Sequence, residues 1–204
     1  MAASPVFVFQ ALSQNEQPAA AVLNEFKKQE GFQRALFGVK MEDPETGVLC
    51  TEWSSAEAAT SYRSSQLGTS LGAKETLAFA AAAGEQQQQQ QQQQGWRAAL
   101  GAPCTEVFTA FGVEDGFAEG NVGRFVSAVG ARPPEGFEGL AFGESVQGDD
   151  GGGEERAVRM VIGWVSREAH LEAKGAPGAI QENIHELRVL RRAVDLFHVA
   201  FREL

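Results

Sequence analysis

The sequence predicts an α+β protein in which one β-α-β-β-α-β order occurs twice. Three observations carry this. Apolar runs rich in β-formers alternate with amphipathic helical segments. Two short motifs recur along the chain. The length, 204 residues, is long for one small domain and short for two large ones.

The first half opens with Val6-Phe7-Val8-Phe9, a buried-strand signal. Pro18 starts a helix with Val22, Leu23 and Phe26 on one face and Lys27, Lys28 and Glu30 on the other. Gly31 sits where a left-handed C-terminal residue is expected. Residues 32–41 read as a strand, Asp43-Pro44-Glu45-Thr46-Gly47 as a turn and 48–53 as the returning strand. Ser54 or Ser55 caps a helix over about 56–65.

The second half runs in the same order. Residues 105–111 read as a strand. Val122, Phe125, Val126 and Val129 mark a helix by 3-4 spacing, ended by Gly130 and Pro133-Pro134. Residues 137–146 and 157–165 form a hairpin, and Glu168 begins a helix. Ile180, Ile184, Leu187 and Leu190 stripe another, and 196–201 closes as a strand.

Gly31-Phe32-Gln33-Arg34-Ala35-Leu36-Phe37-Gly38 matches Gly136-Phe137-Glu138-Gly139-Leu140-Ala141-Phe142-Gly143 at an offset of 136 − 31 = 105. Trp53-Ser54-Ser55-Ala56-Glu57-Ala58-Ala59 matches Trp164-Val165-Ser166-Arg167-Glu168-Ala169-His170 at 164 − 53 = 111. The six-residue difference falls in the second hairpin loop, as expected of an insertion in a true repeat. Each half is therefore expected to be a ferredoxin-like βαββαβ unit. Two such antiparallel sheets, fused in one chain, would close on each other as a pseudo-dimeric α+β barrel. The expected boundaries are 1–84 for the first repeat, 85–95 for a Gln-rich linker and 96–204 for the second repeat. The fourth strand of the first repeat is short, displaced or hidden near Ala98–Leu100, and residues 105–111 are assigned to the second repeat. The nine Gln at 86–94 read as an insertion in a surface loop. The Gly-rich stretch 147–155 reads as a flexible hairpin connection and lacks the Lys-Ser/Thr ending of a phosphate loop.

The formal charge of −10 and a pI near 4.8 argue against nucleic acid or an anionic membrane as partner. No apolar run is long enough to span a bilayer. The first basic residue is Lys27, so no signal peptide and a cytoplasmic location are expected. Two cysteines, Cys50 and Cys104, exclude a disulfide scaffold or a multi-Cys zinc site.

The Gly-Phe strand starts and the Trp-x-Ser-x-Glu-Ala junction resemble the dimeric α+β barrel superfamily, and more narrowly antibiotic-biosynthesis-monooxygenase-like domains in tandem. That superfamily includes cofactor-free oxygenases of polyketide anthrones, haem-degrading enzymes, polyketide cyclases and stress-induced proteins, so fold alone does not settle function. Haem degradation fits poorly, since Asn15, Asn24, Asn121 and Asn183 match no expected position.

The resemblance implies that His170 stands beside the pocket between sheet and helices. There a neutral imidazole could take a proton from a phenol or enol, or simply pack its helix. The matched residue in the first half is Ala59. Strand alternation puts His198 with Leu196 and Ala200, expected to face the barrel interior or interface, as a structural histidine or a proton carrier. His185 lies on a polar stripe. The three histidines lack i, i+4 spacing, so no metal site is expected. Trp53 and Trp164 are either shared core residues or platforms for a planar aromatic ligand. Tyr62 is either a half-exposed helix residue or, as the cyclase relatives imply, a hydrogen-bond donor to a ligand carbonyl. Glu57 and Glu168 are explained by the helix dipole.

Two functions follow. One is a cofactor-independent monooxygenase or cyclase-like enzyme that acts, with no cofactor, on a small hydrophobic aromatic molecule. Its base would be His170, its hydrogen-bond donor Tyr62, and its ligand contacts Trp164, Trp53 and His198. The other is a non-catalytic binding or stress-related barrel with a vestigial pocket. A cavity lined by His170 or Tyr62 favours the first, and a pocket filled by some of the 14 Phe favours the second. Closure within one chain predicts a compact monomer.

Overall fold

A computed structural model describes residues 5–12, 17–71, 73–81, 86–146 and 155–204. The first half contains β1 (Val6–Leu12), α1 (Ala20–Lys27), β2 (Phe32–Val39), β3 (Gly47–Trp53), α2 (Ala56–Ser64), α3 (Gln66–Ser70) and β4 (Ala73–Ala81). Helix α4 (Gln86–Gly101) leads into β5 (Cys104–Phe111). A π-helical turn, Phe117–Val122, precedes α5 (Gly123–Ala131), followed by β6 (Phe137–Ser145) and β7 (Ala157–Trp164). The chain ends with α6 (Arg167–Gly175), α7 (Ala179–Asn183), a 3-10 turn (Ile184–Arg188), β8 (Ala193–Val199) and β9 (Arg202–Glu203). No helix among the described residues is long and apolar enough to cross a membrane.

The strands form one antiparallel sheet ordered β8-β5-β7-β6-β4-β1-β3-β2-β9. Strand β4 joins the halves through β6, with Phe79 opposite Ser145. At the other edge β9 pairs with β2, and Lys40 bridges Val199 next to it. Since β9 follows β8 in the chain, the two edges of the curled sheet meet.

Both faces of the sheet are covered. Phe9, Leu36, Val161, Phe197 and Val199 point to the barrel interior. Trp96, Ala99 and Leu100 of α4 fill the same space, the Trp96 ring stacked 4.3 Å from Phe7. Outside, α1 to α3 cover the first half around Phe26, Trp53 and Tyr62. Helices α5 to α7 cover the second around Phe125, Met160 and Trp164.

The recurring motifs have a local cause. Gly31 and Gly136 both sit at positive φ, 77° and 76°. A Cβ there would fall 2.6 Å from Ala58 Cβ and 2.8 Å from Ala169 Cβ, so helix and strand can meet only over glycine. Each glycine carbonyl accepts from the residue after the matched tryptophan: Ser54 N at 2.8 Å and Val165 N at 2.9 Å. Ser55 and Ser166 then cap α2 and α6 by accepting from Ala58 N and Ala169 N.

Three expectations are corrected. The strand that completes the first half is β4, and Ala98–Leu100 belong to α4. Its Ala-rich composition hid β4, although pairing along the whole of β1 supports it. The Gln tract is helical, not a loop, because it continues a helix anchored at its other end by Trp96, Ala99 and Leu100. Third, His198 points toward the helices and not into the barrel, since Phe197, Val199 and Phe201 take the interior. The bulkier set packs in the barrel core with Trp96 and Leu100 of α4, and the opposite side of β8 faces α6. Residues 147–154 of the Gly-rich connection and 82–85 before the Gln tract lie outside the described residues.

Candidate functional site

Four ionisable side chains from four elements meet on the helix side of the second half. Glu106 projects from the middle of β5 and His198 from β8, paired directly across the ladder. His170 comes down from the first turns of α6. Glu42 reaches over from the β2–β3 hairpin of the first half. Its carboxylate accepts from the His198 backbone N–H at 2.8 Å and lies 2.6 Å from His198 Nδ1. Backbone pairing of Met41 N to His198 O at 2.8 Å holds the hairpin there.

The contacts form one line. His198 Nε2 lies 2.8 Å from His170 Nδ1, and His170 Nε2 lies 3.4 Å from Glu106 Oε2. Trp164 Nε1–H donates to the same Glu106 oxygen at 3.2 Å, while its ring stacks on His170 at 5.3 Å. Arg167 Nε stands 3.4 Å from Glu42 Oε1.

Burial dominates the electrostatics. It pushes the Glu106 carboxyl up to about 7, against the opposing pull of the Trp164 hydrogen bond and Lys174. It pushes His170 down to about 4, helped by the neighbouring His198, Lys174 and Arg167. Burial also opposes charge on Glu42, but the hydrogen bonds from His198 outweigh it and hold this carboxyl below its usual range. A neutral imidazole and a carboxyl near neutrality thus stand side by side.

Both line a cavity of about 70 Å³ whose other walls are apolar except for Lys174, among them Phe108, Phe125, Met160 and Leu187. That volume holds several waters or a small ring fragment, since one water needs roughly 10–15 Å³ by this measure. An open groove of about 660 Å³ runs along the far side of α6, between Pro133-Pro134 and Ala169, Ala173 and Ala176. Cavity and groove meet at Ile180, which lines both.

Glu106, His170 and His198 each offer one ligand atom, all within 4.8 Å of one another. Two histidines and a carboxylate suit a divalent ion, with Glu42 as orienting partner behind His198. Such an ion would displace the proton between the two imidazoles, so ion and hydrogen bond exclude each other.

The sequence-derived candidates divide. His170, His198 and Trp164 come together here. Trp53 and Tyr62 do not: they stack on each other at 4.7 Å in the first half. There Trp53 Nε1–H donates to Thr51 Oγ1 at 2.9 Å, and the Tyr62 hydroxyl donates to Gln10 Oε1. Burial pushes the Tyr62 phenol above its ordinary range. His185 is exposed beside Glu186. Cys50 and Cys104 are buried thiols. Sequence reasoning missed Glu106 and Glu42. A glutamate on the helix-facing side of an otherwise buried strand, flanked by Cys104 and Phe108, was the available signal.

No family model and no curated protein matches the sequence. Solved structures do match its shape. An anthrone oxidase-like protein superposes with a TM-score of 0.64 at 12% identity, covering 98% of this chain and 93% of that one. A monooxygenase-like protein from Lactobacillus acidophilus gives 0.53 at 12% identity, covering 97% and 94%. A chlorite dismutase variant from Candidatus Nitrospira defluvii gives 0.53 at 11%, covering 98% and 92%. Likeness at these identities shows the fold alone, an α+β barrel with a curled antiparallel sheet.

Proposed function

We propose that this chain is a tandem of two related βαββαβ units, with boundaries close to 1–84 and 96–204, in which the second unit carries a catalytic site. The site removes a proton from the phenol or enol of a planar, hydrophobic, polyketide-type aromatic molecule. The resulting anion then reacts with dioxygen without a cofactor of its own. For a methylene flanked by aromatic rings the balance is one CH₂ and one O₂ giving one C=O and one H₂O. A first proton goes to the base. The carbanion adds O₂, and the peroxide loses hydroxide as the second C–H bond breaks. The stored proton then converts that hydroxide to water.

The observation that supports this reading is the neutral His170 at the wall of an apolar cavity, beside Glu106. His170 Nε2 is the proton acceptor, and Trp164, stacked on the ring, fixes its plane. The apolar walls exclude water from the anion and orient it. The ring bearing the acidic proton enters the cavity past Ile180, and the remainder lies in the groove along α6.

Incubation of the purified protein with a panel of anthrones and phenolic polyketides under oxygen, read by mass spectrometry, tests the proposal. The expected product gains one oxygen and loses two hydrogens, and His170→Ala abolishes its formation. Undiminished turnover in that variant removes His170 as the base. A second reading, binding without turnover, draws on the cavity's small size. It predicts saturable ligand binding and no change of mass.

A further inference from the structure

The cavity is connected to solvent by a single file of hydrogen-bonding groups, and the file ends on a residue from the other half. Resting on the reading of His170 as base, we infer that Glu42 is a positioning residue that sets the tautomers of both histidines and so leaves the accepting lone pair of His170 on Nε2.

With both imidazoles neutral, the donors and acceptors allow one arrangement. The Glu42 carboxylate can only accept. Its Oε2 takes the backbone N–H of His198 and its Oε1 faces Nδ1, so His198 carries its proton on Nδ1. The His198 Nε2 lone pair then accepts, so His170 must donate from Nδ1 across the 2.8 Å contact. The lone pair of His170 is thereby left on Nε2. That atom faces Glu106 across the longest gap in the file, 3.4 Å, where a substrate proton can enter. The base is competent because a carboxylate two residues away in the file makes it so.

Glu42→Gln inverts this logic. The His198 backbone N–H still needs an acceptor, so the amide oxygen must take it. The amide NH₂ is then placed against Nδ1 and forces His198, and with it His170, into the other tautomer. Side-chain ¹⁵N NMR at pH 8 reads this without any substrate. The wild type is expected to show both histidines protonated on Nδ1, and Glu42→Gln to show both on Nε2. Turnover of anthrone is expected to fall roughly 100-fold in kcat, the usual share of a general base, with KM little changed. Glu42→Asp, which keeps two acceptor oxygens, is expected to restore the wild-type tautomers.

Wild-type tautomers retained in Glu42→Gln overturn the positioning role, whatever the activity. Inverted tautomers with unchanged turnover overturn the dependence of the base on Glu42. A wild type that shows the expected tautomers but never turns over an anthrone loses the base, while the positioning by Glu42 stands.

Discussion

Glu106 and His198 face each other across β5 and β8 at the register place where, in the first half, Val8 faces Ala78 across β1 and β4. The registers coincide because Cys104 pairs with Trp164 as Val6 pairs with Trp53. His170, the fourth residue after its capping serine, corresponds in the same way to Ala59. Glu106, His198 and His170 therefore all stand where the first half has an apolar or small residue. The fold does not require them, and burying them costs stability. In the first half the equivalent space is closed by Tyr62 stacked on Trp53 and tilted against Phe26 at 5.3 Å.

That cost has a pH signature. Glu106 is pushed from 4.5 up to about 7 and His170 from 6.5 down to about 4, each at a cost of about 3 kcal/mol. The signs are opposite. Between pH 4.5 and 7 the folded state keeps the Glu106 proton that the unfolded chain has lost, so stability falls as pH rises. Between pH 6.5 and 4 the unfolded chain protonates His170 and the folded state does not, so stability falls as pH drops. From 4.5 to 6.5 the two nearly cancel. Glu106→Gln should expose the histidine slope, with stability rising from pH 4 to 6.5. His170→Phe should expose the glutamate slope, falling from pH 4.5 to 7. Denaturant unfolding across this range decides it. If both variants keep the wild-type profile, the burial of the pair is wrongly described.

What the sequence made legible follows from range. Gly31, Gly136, Ser55 and Ser166 act within one strand-to-helix junction, so their motifs are local and recur visibly. His170 was reachable for the same reason, by its distance from Trp164. Glu42 and His198 are 156 residues apart, and no spacing rule joins a hairpin of one half to a strand of the other. The facing of His198 depended on which of two alternating sets fills the barrel, and both sets were apolar enough to qualify. Helix α4 was hidden because its packing residues follow a tract whose composition predicts a loop.

Tyr62 is expected to matter for stability and not for turnover. Its ring lies in the apolar cluster of the first half, apart from the cluster that surrounds His170, and its hydroxyl serves Gln10. Tyr62→Phe removes one buried hydrogen bond, about 1 kcal/mol, and leaves kcat at the wild-type value. A loss of kcat beyond about tenfold at equal stability would return Tyr62 to the catalytic machinery.

Trp96 separates packing from polarity in the barrel interior. Its ring fills the space beside Phe7 and Phe9, yet its Nε1 is buried with no partner among the described residues. Trp96→Ala opens a cavity and should cost about 3–5 kcal/mol. Trp96→Phe keeps most of the ring and discards an unsatisfied N–H, so its cost should stay near 1 kcal/mol. Chemical denaturation of the two variants measures the gap. Equal losses would mean that the indole N–H is satisfied in solution.

Ile180 controls access if the groove delivers the substrate. It stands at the start of α7, buried, and is the residue that the groove along α6 shares with the cavity. A planar ring must displace it to bring an acidic proton to His170 Nε2. A binding step gated by such a displacement is slow in association more than in dissociation. Ile180→Ala should therefore speed anthrone association by about tenfold in stopped-flow measurements, at a stability loss of about 2 kcal/mol from the truncated core contact. Ile180→Trp should slow it by a similar factor while leaving the tautomers of His170 and His198 unchanged. If neither variant alters the association rate, the ligand reaches the base by another route, and the groove is not its path.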